Sequence, residues 1–364
     1  MSAWHLHATV LPDEQARDLW FTADRISFTP LPDAQTLHQG GYVLPGLVDT
    51  HTHPGTVEIG EPLDEDQLRA DAAAHISSGT ALIRVPGSAS RLPAWFGQGY
   101  DQPRVIQAGL PIAVEGYFFP GWGRQVSLDG VARAAGEEAG RTGWCKLIVD
   151  WFTDDGGYGP SMSADVITAA TRAAHGAGGK VAVHTQSAEG GLAAAQAGVD
   201  SIEHGMHLPT EALAMMAESG TVLVPTTCTF EAMSPQMNDE AVPADIRYWF
   251  SSGVERHAEL VGAAVLAGVK VLAGTDLPPG SLTEEIRWLA SAGLSAHEAL
   301  GAGSWSAREW LGLAGIEDGA PADLLVFDTD PREDLNLLDD PAHVVVRGRL
   351  PHIRSTFDPA PQST

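Results

Sequence analysis

Short apolar runs alternate with amphipathic stretches along most of this chain. The runs at 43–50, 80–85, 104–108, 144–149, 180–184, 200–203, 221–225 and 270–274 are separated by segments with helical periodicity, among them 64–78, 130–142, 163–177, 210–219 and 254–267. That alternation predicts βαβ units and a parallel sheet covered on both faces. Eight runs match an α/β fold of the (β/α)8 TIM-barrel type, placed over residues 43–318, with functional groups at the C-terminal ends of the strands. The run at 104–108 has the least distinct end, because Gly109 and Pro111 follow it.

The two ends of the chain read differently. Residues 4–10 alternate, and 18–21 with 25–28 flank Ala23–Asp24 as the arms of a hairpin would. Near the other end, 323–327 is a compact apolar run and 344–346 leads into Arg347–Gly348–Arg349. Neither segment alone can close a core. Residues 1–42 and 319–364 are therefore expected to build one small β-sandwich domain together.

Composition narrows the partners. A net charge of −26 leaves no basic stripe for a phosphate backbone, so nucleic acid is excluded as a partner. No apolar run approaches the about 20 residues a bilayer span needs, and the first ten residues lack the pattern of a signal peptide. Cys145 and Cys228 give no disulfide framework. A soluble, cytoplasmic protein is expected.

Polar residues close several of the apolar runs. His51 and His53 are two apart at the end of the first run, so on a strand they point the same way. His184 ends the fifth run, His204 follows the sixth and Asp276 follows the eighth. Four imidazoles and a carboxylate at strand ends converge on one rim of a barrel and suit a borderline cation such as zinc. Lys146 lies within Trp144–Cys145–Lys146–Leu147–Ile148–Val149, where burial would lower its pKa and free the amine to react. With carbon dioxide it would form a carbamate able to bridge two cations.

These residues carry a resemblance. Pro45–Gly46–Leu47–Val48–Asp49–Thr50–His51–Thr52–His53 is similar to the opening motif of the amidohydrolase superfamily. Val181–Ala182–Val183–His184, Gly198–Val199–Asp200–Ser201–Ile202–Glu203–His204–Gly205 and Gly274–Thr275–Asp276 resemble its later motifs. Gly319–Ala320–Pro321–Ala322–Asp323–Leu324 resembles the return to the β-domain, and the prolidase-like and imidazolonepropionase-related branch is the most similar. The resemblance implies that His51, His53 and Asp276 bind one divalent metal ion, that His184 and His204 bind a second, and that carboxylated Lys146 bridges them. It implies a hydroxide between the two metals, with Asp276 as general base, attacking an amide-type carbonyl: an amide, N-acyl amino acid, dipeptide or cyclic amide, with a lactone open to the same chemistry.

The chain departs from that pattern at two places. Gln186 stands two residues after His184, where many relatives have Tyr or His; Gly121–Trp122–Gly123 stands where many have Gly–His–Gly. The loops after the strands are rich in large apolar groups, including Tyr117, Trp122, Tyr158, Phe230 and Met233. They predict a small-molecule substrate with an apolar or aromatic group, oriented by Gln186 and Arg124; packing between copies in a homo-oligomer is their alternative use. Two other functions compete. A mononuclear metal-dependent deaminase would use an acid near His184, for which Glu189 is at hand, and a catalytically inactive scaffold would need no ligand set at all.

Overall fold

The computed structural model describes residues 2–153, 156–277, 279 and 282–351. Parallel strands Leu47–Asp49, Thr80–Val85 and Arg104–Gln107 pair in that order, and a second set runs from Ile112–Val114 through Trp144–Ile148, Lys180–Thr185 and Ser201–His204 to Val222–Val224. The two sets are halves of one TIM barrel. The third strand is interrupted at Gly109–Pro111: its first half pairs with Thr80–Val85, and its second half with Trp144–Ile148. A proline in the middle of a ladder removes a donor, so the strand breaks at the indistinct place and changes neighbour there.

Closure on the other side falls to residues 270–276, the eighth strand of the sequence pattern. They form a single bridge, Val271 to Leu223, instead of a regular ladder. Thr50 N donates to Ala273 O at 3.0 Å, and Thr275 N and Asp276 N both donate to His51 O at 2.9 and 2.7 Å. Gly274 makes this approach possible, since a Cβ there would meet His51 Cβ at 2.7 Å and Val224 Cγ1 at 2.6 Å. Helices such as Val131–Thr142, Ala164–Gly176 and Thr210–Ser219 cover the outside. The helix Ala188–Ala197, which the periodicity did not suggest, is made mostly of alanine and glycine and so carries no apolar–polar contrast.

The small β-domain draws on both ends of the chain. Six strands run in the order His343–Val345, Leu324–Phe327, Gln35–Pro45, Ala3–Val10, Gln15–Thr22, Arg25–Ser27. Leu6, Leu19, Phe21, Val43, Leu324 and Val326 share its core. The expected boundary after residue 42 falls inside the strand Gln35–Pro45, whose last residues pair with Leu324–Phe327. Arg104 of the barrel ties the two parts together through Asp323 at 2.6 Å and a second contact to Asp24. Among the described residues no helix is long and apolar enough to cross a membrane. Residues 352–364 of the expected β-domain lie outside the described residues.

Candidate metal centre and active site

The barrel brings its first and last strands together at one carboxylate. Asp49 accepts from His51 N at 3.0 Å, Thr275 N at 3.1 Å and Thr275 Oγ1 at 2.8 Å, which locks the two strand ends in register. Asp276 is thereby set opposite the histidine pair: its Oδ1 lies 3.2 Å from His51 Nε2 and 3.0 Å from His53 Nε2. The two Nε2 atoms are 3.3 Å apart.

The far side of each ring decides its tautomer. His51 Nδ1 lies 2.7 Å from Glu203 Oε2, and His53 Nδ1 lies 2.7 Å from the carbonyl oxygen of Gly87. Both acceptors require N–H at Nδ1, so in the neutral rings each Nε2 is a lone pair aimed inward. Three acceptors with no proton among them, two Nε2 atoms and Asp276 Oδ1, thus crowd one point. A cation is what relieves such an arrangement. Burial would raise the Asp276 carboxyl, but the surrounding imidazoles of His51, His53 and His204 outweigh it and hold Asp276 well below the usual carboxylate range, as the anion.

Glu203 is in turn held by Arg84. The buried guanidinium reaches both Glu203 oxygens at 2.8 Å, Ser201 Oγ at 3.2 Å and Thr50 O at 2.6 Å, so it braces the first, second and sixth strands together. Burial works against the Glu203 anion, yet Arg84, Lys146 and His51 keep its carboxyl well below the ordinary value. Arg84→Met would remove the largest of the charges that compensate that carboxylate in the barrel. We expect it to destabilise the protein by about 3–5 kcal/mol, read from urea unfolding of the purified variant. A change under about 1 kcal/mol would show that the pair contributes little, as exposed pairs do.

The second half of the site lies on the fourth, fifth and sixth strands. His184 and His204 are packed with ring centroids 4.6 Å apart, and His204 is 5.2 Å from His51. His204 Nδ1 lies 2.7 Å from Thr226 Oγ1, and His184 Nε2 lies 3.0 Å from the Tyr158 hydroxyl. Burial, then the nearby Lys146 charge, lowers His184 to about 3. Burial and the neighbouring His184 likewise keep His204 well below its ordinary value. Both rings are therefore neutral near pH 7. Lys146 is 4% exposed. Burial brings its amine down to about 8, although Glu203 and Asp276 pull the other way, so a reactive neutral fraction exists near pH 7.

Three strand ends in succession carry residues in the left-handed region: His204 at φ 69°, Thr226 at 52° and Asp276 at 52°. Non-glycine residues there cost about 1–3 kcal/mol each, and such conformations persist where the surroundings enforce them. His257 helps to enforce one, with its Nε2 3.1 Å from His204 O.

All six residues expected to hold metal line one cavity of about 350 Å³, together with Gln186 and Trp122. His51, His204 and Asp276 bring ligand atoms within 4.8 Å of one another. Tyr158 meets the site through its hydroxyl on His184 and on Asp150 Oδ1 at 3.1 Å. Two of the residues expected to contact substrate lie away from this cavity wall. Arg124 does not line the cavity: it lies on the short strand Arg124–Val126 and pairs with Glu137 at 2.6 Å on the covering helix. Tyr117 packs against the barrel core instead of lining the cavity. Glu189, the acid a deaminase would use, is exposed at the start of its helix and is also away from the lining.

Reading the sequence alone did not assign Arg84, Asp150 or Trp249. Asp150 directly follows the fourth apolar run, as the expected ligands follow theirs. It accepts from Thr185 Oγ1 at 2.6 Å, Ser187 Oγ at 2.6 Å and Gln186 N at 3.0 Å, and so fixes the chain that presents Gln186. Trp249 stacks on Tyr158 with ring centroids 4.4 Å apart. Nothing in its helical surroundings marked it.

Comparison with known proteins agrees with this architecture. Residues 42–350 match the Amidohydrolase family. An uncharacterized protein of Mycobacterium tuberculosis is 38% identical over 357 residues, covering 95% of each chain. Ochratoxinase of Aspergillus niger is 28% identical over 180 residues, 47% of this chain and 37% of its own. Among solved structures, a prolidase complexed with N-methylphosphonate-L-proline superposes with a TM-score of 0.81 at 24% identity, covering 96% of this chain and 99% of that one, a likeness of fold. The strand-end histidines, the domain built from both termini and the 309 consecutive positions from 42 to 350 lead to one assignment: this chain belongs to the amidohydrolase family, enzymes acting on carbon–nitrogen bonds.

Proposed function

We propose that the protein is a metal-dependent hydrolase that cleaves an amide-type C–N bond beside a bulky apolar or aromatic group. The observation that carries this reading is the meeting of His51 Nε2, His53 Nε2 and Asp276 Oδ1 within 3.3 Å, with both Nδ1 atoms already committed. His51, His53 and Asp276 would hold one divalent cation, His184 and His204 a second, and Lys146 as its carbamate would join them; zinc suits this nitrogen-rich set. Bound there, the two cations would polarise the substrate carbonyl and lower the pKa of water.

The chain's own groups supply the proton path. Asp276 takes a proton from water as its oxygen adds to the carbonyl carbon, and returns it to the nitrogen as the C–N bond breaks. The left-handed backbone at Asp276 and the lock through Thr275 hold that carboxylate at the cavity floor. Gln186 offers an amide to orient substrate. Lactones present the same carbonyl and remain within reach of this chemistry.

The aromatic loops form the wall. Phe118 and Phe119 pack on Trp151 at 4.8 and 4.7 Å between centroids, and Trp122 meets His53 edge-on at 5.6 Å. A panel of amides, N-acyl amino acids, dipeptides, cyclic amides and lactones tests the proposal. Turnover should require added divalent metal, vanish on chelation and favour members with an aromatic group beside the carbonyl. Trp122→Ala should raise KM for those members by about tenfold or more, and for small acyl analogues much less. Turnover that survives complete metal removal would sink the proposal.

A further inference from the structure

Apart from the six groups assigned to the cations, the polar side chains that line the cavity are Thr56, Gln186, Thr229 and Gln236, and none of them ionises. The remainder of the wall is apolar, with Ile59, Phe118, Phe119, Trp122, Trp151 and Met233 forming much of it. Thr56 Oγ1 is a buried hydroxyl without a hydrogen-bond partner in the structure. Hydroxyls and amides of this kind recognise carbonyl oxygens and amide nitrogens, which carry no net charge.

Four arginines of the barrel are committed to partners outside the cavity lining. Arg84 is held by Glu203, Arg91 by both oxygens of Glu138 at 2.9 and 2.7 Å, and Arg124 by Glu137. Arg247 donates to the backbone oxygens of Val242 at 2.6 Å and Glu240 at 3.2 Å. Among the described residues no arginine lines the cavity, and Lys146 is its single lysine. The undescribed positions within the barrel, Asp154, Asp155, Pro278, Gly280 and Ser281, are acidic or uncharged.

A substrate carboxylate entering this cavity would shed its hydration and find, among the described residues, no side-chain cation beyond the metal centre. An ionised carboxylate moved into apolar surroundings without a partner is strongly disfavoured. The net charge of −26 adds a repulsive field on approach.

We infer that the substrate is an uncharged amide, apolar on both sides of its scissile carbonyl and without a free carboxylate. Dipeptides and N-acyl amino acids, which end in a carboxylate, are then poor substrates. This inference rests on the amide-hydrolase reading of the same site and narrows it.

The test uses three ligands of nearly equal shape: benzanilide, its para-carboxamide on the aniline ring and the matching para-carboxylate. Titration calorimetry on the metal-loaded protein at neutral pH gives the three affinities, and product assay gives the three values of kcat/KM. The carboxamide should bind within about threefold of the parent, and the carboxylate at least about tenfold more weakly than the carboxamide. Carboxylate binding equal to or tighter than the carboxamide would overturn the inference, whatever the turnover. If none of the three is hydrolysed while the neutral pair still binds preferentially, the charge selection stands and the amide-hydrolase reading is what fails.

Discussion

Asp276→Asn is expected to lower kcat by roughly 10³-fold or more, the upper part of what a positioned acid–base group supplies. The reasoning starts from geometry. Asp276 Oδ1 faces both Nε2 atoms of the histidine pair, and its Oδ2 lies 3.8 Å from His204 Nδ1, so one carboxylate spans the rings of both halves of the site. Asparagine keeps one oxygen as a weak ligand but cannot carry a proton from water to the leaving nitrogen. Metal content should therefore fall less than turnover. The fold should persist, because the strand lock runs through Asp49 and Thr275, not through the Asp276 side chain. Metal analysis, circular dichroism and steady-state kinetics on one preparation separate these effects. A variant that keeps more than about a tenth of wild-type kcat would remove Asp276 from the role of base.

Lys146→Ala should lose metal and activity together. The lysine sits in register with Ala182 on the neighbouring strand and lines the same cavity as both histidine pairs. Alanine fills neither the space nor the ligand role of a carbamate. The expected result is a fall to one bound ion per chain or fewer, with kcat down by roughly 10²-fold or more, as for other losses of transition-state charge stabilisation. Short carboxylic acids such as acetate or propionate, added in excess, should restore part of the activity, because a carboxylate reproduces the two-oxygen end of the carbamate. Lys146→Met fills the space without offering that ligand and leaves no room for the acid. Equal rescue of both variants, or two ions retained in the alanine variant, would show that Lys146 bridges nothing.

Five of the six residues expected to hold metal were legible because each is a polar residue that closes or follows an apolar run, at the strand ends where a barrel collects its groups, and Lys146 was legible as a lone charge inside one. His51, His53, Lys146, His184, His204 and Asp276 all line one cavity. What sits behind them was harder to see. Glu203 stood inside a recognised motif, but its role depends on His51, 152 positions away, and on Arg84, which looked like an ordinary residue within an apolar run. Arg124, expected to orient substrate beside the aromatic loop, lies elsewhere. Gly123, at φ 80°, turns the chain so that Arg124 enters a strand and meets Glu137 on the covering helix. Ion-pair partners between distant segments leave no trace in local pattern. The eighth strand was legible as an apolar run but not as the irregular closure it makes, since that shape follows from contact with His51.

The strand Gln35–Pro45 also has a consequence for how the chain comes off the ribosome. One edge pairs with Ala3–Val10, synthesised before it; the other pairs with Leu324–Phe327, separated from it by nearly the whole barrel. Until that last partner emerges, the nascent small domain exposes a row of unsatisfied backbone groups flanked by Val43 and Leu44, the kind of open edge that recruits strands from other chains. The contact is among the most distant in sequence, so it is expected to form late, after a long loop has been closed. A chain truncated before Leu324 would then be lost to aggregation before any question of catalysis arises, even with every metal ligand already synthesised.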